Sequence, residues 1–417
     1  MSYKSILYKA IKENEKIQKK NKKKNVEDNM FQIIKQFINE NGLVCYGGIA
    51  INAILPKDKQ FYDESIDIPD YDFFSPNALE HAKQLAKIFA FNHYENVEAK
   101  SAVSIGTYKV FVNFIPVADI TQLDEEVFLK IQKNATLKDD VYYASDTYLR
   151  MSLYQELSRP YGDISRWEKI YNRLTLLNET KPFYYEVNLN QNHIIYNDEN
   201  DKIYRQLTTL CQKNEFVVFG DYGLSFYKMF FPSKYIKQID EYEIKQIYVL
   251  IPDVNELLKE LDKTDINYKL IKYEKEYKFL NSFYEIQVNE HSFMYVFQTN
   301  SCQSYNKIKY KNKFYNIATI DTILSIYYAL EYIDVSTLHI PTLLSYCYLL
   351  EKIHSNNKTN VLRRFHLPCI GTQETIEDIR KDKDKKYKLY RKNKTSKEYQ
   401  KYFFKYIPKT RKKNLNK

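Results

Sequence analysis

VCYGGIAINAILPKDKQFYDESIDIPDYDFFSP, residues 44–76, is the stretch on which the reading of the fold turns. A short apolar run, Val44 to Tyr46, breaks on Gly47-Gly48 and resumes as an apolar helix that Pro56 ends. Two aspartates, Asp70 and Asp72, then stand one residue apart among Ile, Tyr and Phe, in a run that reads as a strand over 70–74. Residues two apart on a strand share a side, so the two carboxylates project together while Tyr71 and Phe73 face a core. Neighbouring carboxylates repel each other unless a cation lies between them. Two divalent ions ~3.5–4 Å apart are what an in-line phosphoryl or nucleotidyl displacement requires, and magnesium suits an all-oxygen ligand set. A third carboxylate is expected from a neighbouring strand. Asp119 in FIPVADIT is the best candidate, with Asp124, Asp67 and Asp63 behind it. Pro116 in the same run implies an edge or bulged strand. Gly47 and Gly48 let the backbone approach a triphosphate, and the following helix aims its free N–H groups at that anion. A glycine turn or a D-x-D alone says little; strand, Gly-Gly, helix, D-x-D strand and later strand Asp, in that order, say much more.

Outward from this stretch, a chain of 417 residues is too long for one ordinary core, and two domains are expected. The start of the chain lacks a secretory apolar region, and no run reaches ~18 uninterrupted apolar residues, so no membrane span is expected. Five scattered cysteines with no C-x-x-C pair read as reduced thiols of a cytosolic protein. No H-x-x-x-H, G-x-S-x-G or P-loop motif is present, which removes zinc, serine-hydrolase and P-loop readings. The formal charge of +10 is unevenly placed: 380–417 carries 17 Lys and Arg against three acids, about +14, so the rest sums to about −4. Tyr and Phe interleave with these cations, as RNA contact requires, since cations neutralise phosphates and rings stack on bases.

A second pattern recurs about 175 residues downstream. FVVFGDYGLSFYKMFFP (216–232) repeats the strand, glycine and apolar-helix layout, and KQIYVLIPDVNELLKELDK sets Pro252 on Pro76. SFMYVFQT falls where YKVFVNFI fell, and Asp321-Thr322 falls on Asp146-Thr147. A duplicated α/β unit follows. Asp70 and Asp72 are replaced by Gln246 and Tyr248, and Gly48 by Asp221, so only the first copy keeps the acidic pair. The expected organisation is an N-terminal helical segment (1–41), a catalytic domain with following helices (42–185), a degenerate duplicate (186–370) and a basic aromatic tail (371–417).

The order of these elements resembles the nucleotidyltransferase superfamily of DNA polymerase β. YGGIAINAIL, DIPDYDFFSP, VADIT and YGDISRWEKIYNRL look like the poly(A) polymerase catalytic subunits of large cytoplasmic DNA viruses, of the giant-virus, asfarvirus and poxvirus type. The resemblance implies an α/β fold of two nucleotidyltransferase-like domains, the first active. It implies AMP transfer from ATP to an RNA 3′-end with two Mg²⁺ or Mn²⁺ ions held by Asp70, Asp72 and Asp119, with Asp119 helping to deprotonate the 3′-hydroxyl. Gly47 and Gly48 would bind the ATP phosphates. Many relatives carry Gly-Ser at this turn, so Gly48 leaves phosphate binding to backbone N–H groups. It further implies a homodimer or a viral processivity partner, and a place in the host cytoplasm or viral factory, with packaging in the virion. Arg166, Lys169 and Arg173 share one helical face and could clamp the γ-phosphate or serve a solvated surface equally well. Tyr154, Tyr161 and Tyr171 are candidates to stack on adenine. CCA addition, uridylation, or a catalytically silent RNA-binding partner are the competing readings.

Overall fold

The computed structural model describes residues 2–23, 28–63, 65–185, 198–241, 245–275, 277–299, 301–356 and 364–409. Two compact units emerge: residues 1–149 with 375–417, and residues 150–374. Strands β1 (Val44–Cys45), β2 (Tyr71–Ser75), β3 (Glu98–Ser101), β4 (Thr107–Val112), β5 (Ile115–Gln122), β6 (Thr136–Lys138) and β7 (Val141–Tyr143) belong to the first. The second holds β8 (Val217–Phe219), β9 (Ile247–Ile251), β10 (Lys269–Tyr273), β11 (Phe283–Val288), β12 (His291–Gln298), β13 (Gln303–Tyr310), β14 (Lys313–Ala318) and β15 (Cys369–Ile370). A last strand, β16 (Lys405–Tyr406), returns to the first sheet. The sheet orders are β16-β3-β4-β5-β2-β1-β7-β6 and β10-β11-β12-β9-β8-β14-β13-β15.

In the first unit the alternation of β2 decides which face is core. Tyr71 and Phe73 are buried, and Phe73 meets Phe37 of the helix Asp28–Glu40 with ring centres 6.5 Å apart. The helix Ala78–Phe91 packs on β2, β4 and β5 from that side, burying Ala82, Leu85, Ala86 and Phe89. Asp72 therefore points away from the helical layer. Pro116 sits on an interior strand, and the ladder absorbs it by a register shift at Val110/Phe111, the bulged alternative rather than the edge. Tail residues 376–390 and 397–403 form helices, and β16 covers the otherwise open edge of β3.

The second unit repeats seven of these strands in the same order, β10-β11-β12-β9-β8-β14-β13 matching β3-β4-β5-β2-β1-β7-β6, while β16 and β15 add to opposite ends. Antiparallel β1–β2 places Cys45 on Phe73, and β8–β9 places Val218 on Val249. Gly47 and Gly220 follow β1 and β8, both at positive φ (68° and 71°). With these superposed, Asp72 falls on Tyr248 and Asp70 on Gln246, as expected. Two details of the repeat need correction. SFMYVFQT lies on β12, which pairs in parallel with β9 as β5 pairs with β2, so it corresponds to IPVADITQ and not to YKVFVNFI. Both strands belong to one hairpin of similar apolar content, which hid the shift. The Asp-Thr match is one residue out: Ser145 and Thr319 are the equivalent positions, their hydroxyls accepting the N–H of Tyr148 and Thr322, three residues on.

The cysteines also depart from expectation. Cys302 and Cys369 form a disulfide between the neighbouring strands β13 and β15, while Cys45, Cys211 and Cys347 are buried free thiols. The sequence separation of 67 residues concealed the pair. No helix among the described residues is long and apolar enough to cross a membrane.

Because Phe73 is fully buried at the centre of the first core, Phe73→Ala should lower the stability of the chain by about 3–5 kcal/mol in urea unfolding. A loss below about 1 kcal/mol would contradict the assigned core face.

Candidate active site

The parallel pairing of β2 and β5 sets Asp72 directly beside Asp119. Their backbones are fixed by the ladder, so two carboxylates share one register line on the face away from the helices. Like charges placed so are destabilising, and the structure answers part of that cost with Lys109. This residue stands opposite Asp119 on β4, and its Nζ donates to Asp119 Oδ2 at 2.5 Å. The other oxygen, Asp119 Oδ1, is buried with no hydrogen-bond partner. Lys109 was missed in the sequence; its signal was a single charge inside TYKVFV, otherwise a buried alternating strand.

The glycine turn closes on the same pair. A Cβ on Gly47 would stand 3.0 Å from Asp72 Oδ2, at a φ of +68° that side chains rarely adopt. The residue must therefore be glycine for the turn and the carboxylate to approach. The helix Gly47–Ile54 starts here with no side-chain cap, leaving its first N–H groups to an anion. Tyr46, just before the turn, donates its N–H to Asp72 O and stacks on Phe74 at 3.9 Å. Its hydroxyl joins a chain through Thr121 to Thr107. Burial first, then the charge of Asp72, raises the pKa of the Tyr46 phenol and keeps it protonated.

Asp70 lies exposed one residue before β2 begins, and the pairing of β2 with β5 starts at Tyr71. Among the described residues no three His, Cys, Asp or Glu groups gather into a metal site. The chemistry of the donor set still suits a hard divalent cation: hard oxygens, one of them buried and unpartnered on Asp119, the other already holding a cationic Nζ. Asp72 and Asp119 fit such an ion. The weaker acidic candidates have other work. Asp124 caps the helix Glu125–Lys133, and Asp67 pairs with Lys19 and accepts the N–H of Asp63.

Arg166, Lys169 and Arg173 belong to the second unit. Arg166 pairs with Glu156 at 3.3 Å, and Arg173 is buried in its helix Trp167–Thr180. Of the tyrosines, Tyr154 is buried and donates to Glu351, and Tyr171 packs edge-on to Phe365. Tyr161 is 72% exposed. Two cavities lie away from the carboxylates: about 940 Å³ beside Arg205 and Lys263, and about 650 Å³ behind β2, lined by Lys35, Asn52, Tyr71 and Tyr143. Asp72 and Asp119 are themselves half-buried.

The equivalent line in the second unit is closed. Tyr248 and Tyr295 occupy the places of Asp72 and Asp119, buried with ring centres 5.3 Å apart. Asp221, in place of Gly48, is buried and accepts from the Gln246 N–H at 3.2 Å and the Tyr346 hydroxyl.

Residues 32–163 match the family model described as poly(A) polymerase catalytic subunit. Proteins named "Putative poly(A) polymerase catalytic subunit" from African swine fever virus (strain Badajoz 1971 Vero-adapted) and Acanthamoeba polyphaga mimivirus are each 30% identical, over 158 and 159 residues. Those stretches are 36% and 37% of this chain, which spans about a third or less of the relatives' length (33% and 26%). A solved structure, the Megavirus polyadenylate synthase, superposes with a TM-score of 0.77 at 18% identity, covering 93% of this chain and 84% of that one. The two units thus form a nucleotidyltransferase-like fold shared with that viral enzyme, and the stretch holding the glycine turn and the carboxylate pair is similar to the viral poly(A) polymerase catalytic subunits.

Proposed function

We propose that the chain is a template-independent poly(A) polymerase, adding AMP from ATP to an RNA 3′-end and releasing pyrophosphate. The observation that carries this reading is the in-register Asp72–Asp119 pair closed against Gly47, in a region similar to viral poly(A) polymerase catalytic subunits. Asp72 and Asp119, with Asp70 at the strand entrance, would hold Mg²⁺ or Mn²⁺. When bound, such ions neutralise the phosphates and raise the acidity of the attacking hydroxyl.

The rest falls to the chain. The uncapped N–H groups at Gly47 and Gly48 bind triphosphate oxygens and orient the leaving group. Asp119 takes the proton of the RNA 3′-hydroxyl as its oxygen attacks the α-phosphorus. The bond from that phosphorus to the bridging oxygen breaks, and pyrophosphate leaves with the electron pair. Lys109 holds Asp119 in orientation before substrate arrives. The tyrosine-filled second unit has no carboxylate pair to do the same work. Its preserved fold supports a structural or RNA-holding role.

Asp119→Asn keeps the shape of the side chain and removes the proton acceptor. Incorporation of labelled ATP into an RNA primer should fall by roughly 10²–10⁴-fold, with the melting temperature little changed. Near-normal incorporation would refute the assignment. Each of the four nucleotides, tested alone, should show ATP strongly preferred; equal use of CTP or UTP would replace polyadenylation by another nucleotidyl transfer.

Gly47→Ala and Gly220→Ala impose the same backbone conflict, each costing about 1–2 kcal/mol for the left-handed φ. Both should lower stability in denaturant, Gly220→Ala the more because its Cβ would also meet the Gln246 carbonyl oxygen and the buried Tyr248 ring, whereas only Gly47→Ala should abolish incorporation. Equal loss of activity in the two would show that the turn acts through folding alone.

A further inference from the structure

The first sheet carries a register line longer than the acidic pair. Lys405 on β16 pairs with Lys100 on β3, Lys100 with Lys109 on β4, Lys109 with Asp119 on β5, and Asp119 with Asp72 on β2. Directly paired residues share a sheet face, so three lysines line up beside the two carboxylates on the side away from the helices. At about 4.8 Å per strand the line from β16 to β5 is about 14 Å long, enough to meet more than one backbone phosphate.

Three like charges in a row repel each other, and Glu98 lies beside the outer two. Lys100 Nζ holds Glu98 at 2.5 Å and Lys405 Nζ reaches it at 3.5 Å. Both lysines remain open, with side chains 42% and 61% exposed. Lys100 also lies 4.1 Å from the centre of the Phe111 ring, which fixes its stem. Behind β16 the tail is bound firmly to the sheet. Phe404 is buried edge-on to Tyr108, Ser101 N–H donates to Phe404 O at 2.9 Å, and Lys383 donates to Ala102 O at 2.8 Å. Residues 376–409 carry thirteen Lys and Arg against five acids. On the helix Ile376–Tyr390 the exposed Lys381, Lys385 and Lys388 fall on one side at spacings of four and three, interleaved and flanked by the exposed Glu377, Asp378 and Asp384.

We propose that the line Lys405–Lys100–Lys109, extended by the exposed Lys385 and Lys388 near the end of the helix Ile376–Tyr390, is the track along which a single-stranded RNA reaches the carboxylate pair. This rests on the polymerase reading for the direction of travel but not for the surface itself. The chain's C-terminal segment is on this account a fixed wall of the catalytic unit, whose cations follow the backbone phosphates. Lys109, held by Asp119, is the innermost station, next to the terminal phosphate. Phosphate contact without base contact makes the track indifferent to sequence, as growth of a homopolymer tail from any transcript end requires.

The test uses the full chain, a fluorescent 20-nucleotide single-stranded RNA of mixed sequence, and anisotropy titrations in EDTA over a series of salt concentrations. Removing two phosphate contacts from a single strand should flatten the plot of log affinity against log salt by about 1.4. Lys100→Gln/Lys405→Gln should show that change, and so should Lys385→Gln/Lys388→Gln on the exposed helix, which is safe for folding. Lys57→Gln/Lys59→Gln, exposed lysines in the loop after Pro56, should leave the slope as in the natural chain. An unchanged slope in both track variants, an equal change in the loop variant, or no RNA binding by the natural chain would overturn the proposal. Because binding in EDTA needs no catalysis, failure to incorporate ATP alongside flattened slopes would sink the polymerase reading and leave the track standing.

Discussion

Two carboxylates fixed side by side on parallel strands are an electrostatic liability that the first unit is built to hold. The β2–β5 ladder gives Asp72 and Asp119 no freedom to separate. Lys109 relieves one oxygen, leaving another buried and unpartnered. Phe73 and Tyr71 anchor the reverse side of the strand, so Asp72 cannot turn away without emptying the core. Gly47 brings the start of an uncapped helix against the same carboxylate, and any Cβ there would intrude. A divalent cation with a polyphosphate would satisfy both halves at once.

The second unit shows the same scaffold with the liability removed. Its ladder puts Tyr248 and Tyr295 side by side where the carboxylates stood, and their rings pack with Phe219 and Tyr327 in a buried cluster. Asp221 fills the position of Gly48 and is neutralised as a problem by hydrogen bonds from Gln246 and Tyr346. Aromatic burial takes the place of the paired carboxylates, which avoids the cost of keeping unpaired charge from water. The contrast separates what the fold needs, a glycine at positive φ after the first strand, from what the chemistry needs, acids on the neighbouring ones.

Much of this was legible in 44–76 alone. The Gly-Gly break, the period-two alternation around Asp72 and the recurrence at 216–232 gave the strand, the turn and the duplicated unit, because they follow from local sterics and side-chain period. What stayed hidden was cross-strand register. Nothing local tells which strand of the Gly106 hairpin lies beside β2, so SFMYVFQT was set against the wrong one and Lys109 was passed over. The Cys302–Cys369 pair and the return of β16 to β3 depend on contacts between residues far apart in the chain, invisible to spacing. Lys169 and Arg173 lie on the helix Trp167–Thr180 while Arg166 ends the 3-10 turn before it, and helical phase alone could not say which neighbours Arg166 and Arg173 would meet.

The central claim is that Asp72 and Asp119 together make a divalent-cation site at the glycine turn. Manganese binding, read from the loss of the free-ion paramagnetic resonance signal in the presence of a non-hydrolysable ATP analogue, addresses it without turnover. The account predicts saturable binding by the natural chain and its loss in Asp72→Asn/Asp119→Asn, with the fold retained by circular dichroism. Undiminished manganese affinity in that double variant would contradict it.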